Sequence, residues 1–108
     1  KVALVDTVGR KSGKIRSVPL ACYPYRDSVV VSASNSGQEV HPAWYLNMQA
    51  NPEVTVQLGR KRYKAIAEDV PEAERAALWP KIVSLNKHQG EYLEQVQRDI
   101  PLVWFRRL

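Results

Sequence analysis

The sequence predicts an α+β fold: a small curled sheet or barrel of about six mainly antiparallel strands with short flanking helices. Three observations carry that expectation. β-rich runs are joined by short polar turns, as antiparallel neighbours require. Their order is three strands, a helix, two strands, helical turns and a last strand. No strand leads into a G-x-G-x-x-G or G-x-x-x-x-G-K-S/T turn, so a doubly wound dinucleotide fold and a P-loop both lack their signature.

Val2 to Val8 is β-rich, Gly9-Arg10-Lys11-Ser12-Gly13-Lys14 is a polar turn with two glycines, and Ile15 to Tyr25 is again extended. Together they read as a hairpin. Pro19 and Pro24 cannot donate ladder hydrogen bonds, so the second strand is expected to follow an edge, a bulge or a bend where it curls. Arg26-Asp27-Ser28 turns the chain, and Val29-Val30-Val31 leads a third strand, expected to end near Ser34, into the small polar loop Ala33 to Gly37. His41 to Ala50 is expected to be a short helix, with Pro42 at its first position and Asn51-Pro52 as its stop.

Val54, Val56 and Leu58 alternate with polar partners, Gly59 turns the chain, and Lys61 to Val70 returns with Tyr63, Ala65 and Ala67 alternating. The period then changes. Asp69-Val70-Pro71-Glu72 offers a capping carboxylate and a first-turn proline, and Leu78, Trp79, Ile82, Val83 and Leu85 follow with helical spacing. Pro80 is expected to kink that helix or to begin a second one. Gln89 to Arg98 is a weaker helical stretch, Ile100-Pro101 breaks it, and Leu102 to Phe105 is the last strand.

At 108 residues, with 44% hydrophobic and 25% charged side chains, one globular domain spanning 1–108 is expected. No apolar run approaches the ~18 residues that cross a bilayer, and no secretory leader opens the chain. Cys22 is the only cysteine, so an internal disulfide and a thiolate zinc cluster are excluded, which fits a reducing cytoplasm. The chain opens at Lys1 within a strand-like run, so a native segment is expected upstream of it. Cytoplasmic residence is expected, with peripheral association at the inner face of the cell membrane through that segment.

Sixteen Lys and Arg against eleven Asp and Glu give a net charge of +5. The excess is local, at Arg10, Lys11, Lys14 and Arg16 and again at Arg60, Lys61, Arg62 and Lys64. The first cluster combines glycines, a serine hydroxyl and four cations on one turn, which suits a phosphate with carboxylates beyond it; a solvated basic hairpin tip is the plain alternative. The second reads as a solvated hairpin face, with nucleic acid or an anionic membrane as alternatives. Nucleic acid is disfavoured because aromatic residues are not interleaved with the basic runs.

His41 and His88 lack ligand-spaced carboxylates, so no metal site is expected. Two histidines build no Ser-His-Asp constellation. Cys22 reads as a buried small side chain and Trp79 and Trp104 as core; by spacing alone Trp44 is a core residue and Asn47 a surface or cap residue. No residue stands out as catalytic.

The G-R-K-S-G-K block at 9–14, Ser34-Asn35-Ser36-Gly37, and His41-Pro42-Ala43-Trp44-Tyr45-Leu46-Asn47 followed by Asn51-Pro52-Glu53-Val54 resemble the deazaflavin-dependent nitroreductase family. The resemblance extends to Leu78-Trp79-Pro80 and Ile100-Pro101-Leu102-Val103, and so covers nearly the whole chain. It implies a split β-barrel of the FMN-binding-like kind. It also implies a reductase using reduced coenzyme F(420), an 8-hydroxy-5-deazaflavin, of the type found chiefly in actinobacteria.

By matching position, Arg10, Lys11, Ser12, Gly13, Lys14 and Arg16 would hold the cofactor's phosphate and polyglutamate tail. Pro19 and Leu20 would line the pocket. Ser32, Ala33, Ser34 and Asn35 would run beside the ring, and Pro42, Trp44 and Asn47 would approach it from the helix.

Relatives that reduce bulky nitroaromatics place several tyrosines in the segment matching 86–92. Here Asn86 and Gln89 stand on the substrate side and only Tyr92 is a tyrosine, so a more polar and open wall is expected. The implied function is hydride transfer from reduced F(420) to a small organic acceptor such as a quinone. The alternatives are an FMN-binding split-barrel oxidoreductase and a non-catalytic F(420) carrier. The acceptor and the oligomeric state are left open.

Overall fold

A computed structural model describes residues 1–108. Six strands, β1 (Val2–Val8), β2 (Ile15–Tyr25), β3 (Ser28–Ser32), β4 (Glu53–Leu58), β5 (Lys61–Asp69) and β6 (Leu102–Arg107), close a barrel in the order β1-β2-β3-β6-β5-β4. Every neighbouring pair is antiparallel. Three helices complete the fold: α1 (Ala43–Ala50), α2 (Glu72–Leu85) and α3 (Lys87–Gln95), with a short 3₁₀ turn at Asn35–Gly37. The expected α+β barrel is the observed one.

Alternation along the strands decides what fills the barrel. Ala3 and Val5, Val54 and Val56, and Val103 and Phe105 are fully or almost fully buried, and they meet Cys22, Val29, Val31 and Ala65 in one interior cluster. Helix α1 adds Tyr45 and Met48 to it, so this helix packs into the barrel's core and does not merely lie on its surface. Val29-Val30-Val31 escapes alternation because both faces of β3 are covered: Val30 points out to a second cluster with Tyr23, Leu102, and Leu78 and Ile82 of α2.

The two prolines of β2 flank a change of partner. Ile15 to Ala21 pairs with β1 and Cys22 to Tyr25 with β3, so one long strand serves two neighbours in turn. Over the first half its second edge is open, and an open edge tolerates the missing N–H of Pro19. That edge becomes the wall of a crevice.

Four local expectations are corrected. The third strand stops at Ser32, because Ser34 is already in a right-handed helical conformation and Asn35 and Ser36 turn through φ of 50° and 53°. Pro42 precedes α1 as an extended cap residue instead of starting it. Asp69 does not cap α2: it ends β5 and accepts the Tyr45 hydroxyl, while Pro71 takes the cap position with no side-chain bond. Pro80 does not begin a second helix: α2 continues across it, with exposed Pro80 between buried Leu78 and Ile82. A proline on the solvent side frees a carbonyl that water can satisfy, while the apolar contacts hold the turns on either side. Trp79 and Trp104 are only partly buried, flanking the outer cluster.

Candidate functional site

The β1–β2 hairpin owes its shape to its own sequence. Gly9 N–H donates to the Lys14 carbonyl at 2.8 Å and Gly13 N–H to the Gly9 carbonyl at 2.9 Å, with Gly13 at φ 70°. A Cβ at Gly9 would stand 2.6 Å from Ser12 Oγ, so any other residue there would have to displace the Ser12 hydroxyl from its place in the turn. Ser12 Oγ accepts from Lys14 N–H, and its own proton remains free to donate.

The hairpin is latched to α1. Asn47, 8% exposed, accepts from both Arg10 N–H (3.1 Å) and Arg10 Nη1 (2.8 Å) through Oδ1. Arg10 therefore has part of its donor capacity occupied by structure but keeps its charge, and Arg10, Lys11, Lys14 and Arg16 all lack a side-chain ion pair. Spacing alone puts Asn47 on the surface; the fold buries it because the hairpin tip covers its helix face.

A cleft of about 560 Å³ lies between hairpin and helix, lined by Thr7, Gly9, Arg10, Lys11, Ser12, Arg16, Val18, Asn35, Pro42, Ala43, Trp44 and Asn47. A second, of about 380 Å³, runs along the open edge of β2 from Val18 to Ala21 and is bounded by Ser32, Ser34, Asn35, Ser36, Trp44, Asn86, His88, Gln89 and Tyr92. Val18, Asn35 and Trp44 border both, so the two clefts form one crevice with a cationic end and an end of small and amide side chains.

Of the site residues expected from sequence, Gly13, Lys14 and Ala33 line neither cleft. Gly13 shapes the turn, Lys14 projects into solvent from it, and Ala33 is fully buried behind the wall. All the others line the crevice. Asn86 and Gln89 are also fasteners. Asn86 accepts from His88 N–H and donates to the Tyr23 hydroxyl at 3.2 Å, and buried Gln89 accepts from Ser32 Oγ at 2.9 Å. Trp44 is not core but partly exposed at the junction of the clefts.

Sequence reasoning did not place Thr7, Gly9, Val18, Ala21, Ser36, Ala43 and His88 in the lining. Thr7 had a signal: it is a polar residue at an inward position after Ala3 and Val5, 1% exposed. The second hairpin run, Arg60 to Lys64, lies away from the crevice, with Arg62 paired to Asp6 at 3.0 Å. Among side chains able to bind metal, no group of three or more His, Cys, Asp or Glu converges. Cys22 is 3% exposed, and burial pushes its thiol pKa up, which leaves it protonated and inert.

The family model described as F420H(2)-dependent quinone reductase matches residues 1–106. The chain belongs to that family. It is 35% identical over 103 residues to a putative F420H(2)-dependent quinone reductase of Mycobacterium tuberculosis, an alignment covering 95% of this chain and 87% of the relative. An F420H(2)-dependent quinone reductase of the same organism is 31% identical over 107 residues, covering 96% and 72%. Among solved structures, the F420-H2 dependent reductase FDR-A superposes with a TM-score of 0.85 at 36% identity, covering 94% of this chain and 90% of that one.

Membership makes this F420H(2)-dependent reductase an oxidoreductase whose cofactor is coenzyme F420, and FMN is not favoured. The split-barrel expectation agrees with that superposition. The donor set also fits such a cofactor. A phosphate followed by glutamates needs cations that the fold has not already neutralised, and Lys11 and Arg16 are such cations at one end of a crevice otherwise suited to a flat ring.

Proposed function

We propose that the crevice is the cofactor and acceptor site, with tail and phosphate at the hairpin, the deazaflavin ring at the junction bounded by Trp44, Val18 and Asn35, and a small quinone beyond it. The observation that carries this reading is the continuity of the two clefts across those three residues. When bound, reduced F420 supplies a hydride from carbon 5 of its ring, so the protein needs no redox side chain of its own.

The chain's own residues bind, orient and shield. Lys11, Arg16 and Ser12 neutralise and hold the anionic tail. Latched to Asn47, Arg10 keeps the hairpin against α1 so that these cations face the cleft. Val18 and Trp44 offer apolar surface to a planar ring and exclude water from it. Ser32, Ser34 and Asn35 let the ring approach the backbone. Asn86, Gln89 and Tyr92 form a polar acceptor wall that suits the carbonyls of a quinone better than a bulky nitroaromatic.

A lipophilic quinone acceptor and the single unpaired cysteine support a cytoplasmic enzyme working at the inner face of the cell membrane. No helix is long and apolar enough to cross it. The test is a fluorescence titration with oxidised F420, FMN and FAD, followed by oxidation of F420H(2) with menadione as acceptor. F420 binding tighter than FMN, with turnover of menadione, is expected. Equal or tighter FMN binding overturns the reading, and F420 binding without turnover of any quinone leaves a carrier.

A further inference from the structure

Arg98 lines neither cleft, yet its guanidinium is the most heavily bonded cation in the protein. Nη2 donates to the carbonyls of both Ala33 and Ser34 at 3.1 Å, and Nε donates to Gln38 at 3.1 Å. Nη1 reaches Asp99 O at 3.2 Å and His41 Nδ1 at 3.1 Å. A guanidinium only donates, so His41 Nδ1 is the acceptor and its proton sits on Nε2. One side chain thus ties the segment between α3 and β6 to both flanks of the crevice, the segment after β3 and the approach to α1.

The consequence lies on the opposite side of the bonded peptides. No peptide bond in the chain is cis. In a trans peptide the C=O of one residue and the N–H of the next point in opposite directions. With the Ala33 and Ser34 carbonyls both held toward Arg98, the N–H groups of Ser34 and Asn35 are turned away from it, and Ser34 and Asn35 are crevice residues. Neither N–H is spent on the local turn, whose bonds come from Gly37 and Gln38. Of the two left-handed residues here, Asn35 adopts that region readily, but Ser36 does so only where its surroundings hold it. Gln95, donating to the Gly37 carbonyl at 3.0 Å, adds a second tie from α3.

We propose that Arg98 is a positioning residue that aims the Ser34 and Asn35 N–H groups into the crevice as a donor pair for an electron-rich oxygen or nitrogen of the bound deazaflavin ring. This rests on the crevice being the cofactor site. Because Arg98 acts on the ring's donors and not on the tail's cations, its loss changes ring binding without changing the salt dependence.

The experiment compares wild type, Arg98→Lys and Arg98→Gln. Binding of oxidised F420 and of the tail-free 8-hydroxy-5-deazaflavin riboside is followed by ring absorbance and fluorescence, and amide exchange of residues 33–38 is measured in the ligand-free proteins. Arg98→Gln is expected to weaken both ligands by the same factor, about tenfold (about 1.4 kcal/mol), to abolish the ring's spectral shift, and to speed exchange at 34 and 35. Arg98→Lys should lie between, and millimolar guanidinium should restore part of the affinity of Arg98→Gln. Wild-type binding with an unchanged affinity and spectrum in folded Arg98→Lys and Arg98→Gln overturns this inference alone. Should Arg98→Gln not fold, Arg98→Lys decides by the same measures. Absence of F420 binding by the wild type overturns the site reading and this inference with it.

Discussion

Arg10 and Lys11 are sequence neighbours with different work. Both line the cleft, but Arg10 spends its N–H and one guanidinium nitrogen on Asn47, whereas the Lys11 side chain has no hydrogen-bond or ion-pair partner in the protein. Lys11→Ala or Arg16→Ala should therefore weaken F420 by about 1–3 kcal/mol, the range for losing one charge-assisted bond, with no loss of stability. Isothermal titration at two salt concentrations measures it, and unchanged affinity in both variants would place the tail elsewhere. Asn47 separates stability from binding. Asn47→Leu strands the Arg10 N–H and should lower stability by about 1–3 kcal/mol in urea denaturation. Asn47→Asp keeps the acceptor and its stability but sets a negative charge beside the anionic tail, so F420 affinity should fall while the urea midpoint stays. Equal effects of the two substitutions on the midpoint would contradict the latch.

Among the elements, α1 is joined to the end of β5 by one titratable contact. The Tyr45 hydroxyl donates to the Asp69 carboxylate at 3.0 Å; burial first, and the charge of Asp69 second, push the tyrosine up to about 12. An acid whose pKa is higher in the fold than in the unfolded chain, about 10 for tyrosine, contributes stability that is complete below about pH 10 and lost as pH rises through about 12. Tyr25, raised chiefly by its bond to Glu74, and Cys22, raised by burial, act in the same direction. They are common to wild type and variant and cancel in a comparison. Tyr45→Phe should thus be less stable at neutral pH and lose less stability than wild type on alkaline titration; parallel denaturation curves would refute the assignment. In α2, Pro80 removes one helical N–H on an exposed face. Pro80→Ala should stabilise the protein by about 1–2 kcal/mol, below the full helix-interior cost because proline also restricts the unfolded chain. A lower urea midpoint would show that the proline ring packs usefully.

For the whole molecule, the distribution of +5 matters more than its size. On the proposed reading the hairpin cations meet a multiply anionic ligand, so F420 affinity should fall with ionic strength and rise with glutamate tail length, while FMN, with one phosphate, should bind more weakly and vary less. Tail-length independence would move the tail off the hairpin. The acceptor end argues in the same way. With amides at Asn86 and Gln89 and one tyrosine at Tyr92, small quinones should oxidise F420H(2) measurably and bicyclic nitroaromatics slowly or not at all. Rapid nitroaromatic turnover would show that a wall of tyrosines is dispensable.

The barrel's strands, the hairpin cations and the helix at Trp44 were legible in the chain because each rests on a local signal: alternation, turn glycines, a run of like charges, a proline before a helix. The resemblance carried by those same blocks supplied the cofactor and, residue by residue, most of the crevice. Other features depend on contacts across long sequence separations. Asp69 looks like a helix cap until Tyr45, 24 residues earlier, is brought to its carboxylate. Asn47 looks like a surface amide until Arg10, 37 residues away, covers it. Arg98 carries no local signal at all, because its role is set by carbonyls 64 and 65 residues upstream. Sequence by itself determined the elements and their chemistry, since propensity and charge act over a few residues. Only the closure of the barrel decided which polar groups are spent on one another and which stay free to bind, because hydrogen bonds are allotted by distance in space.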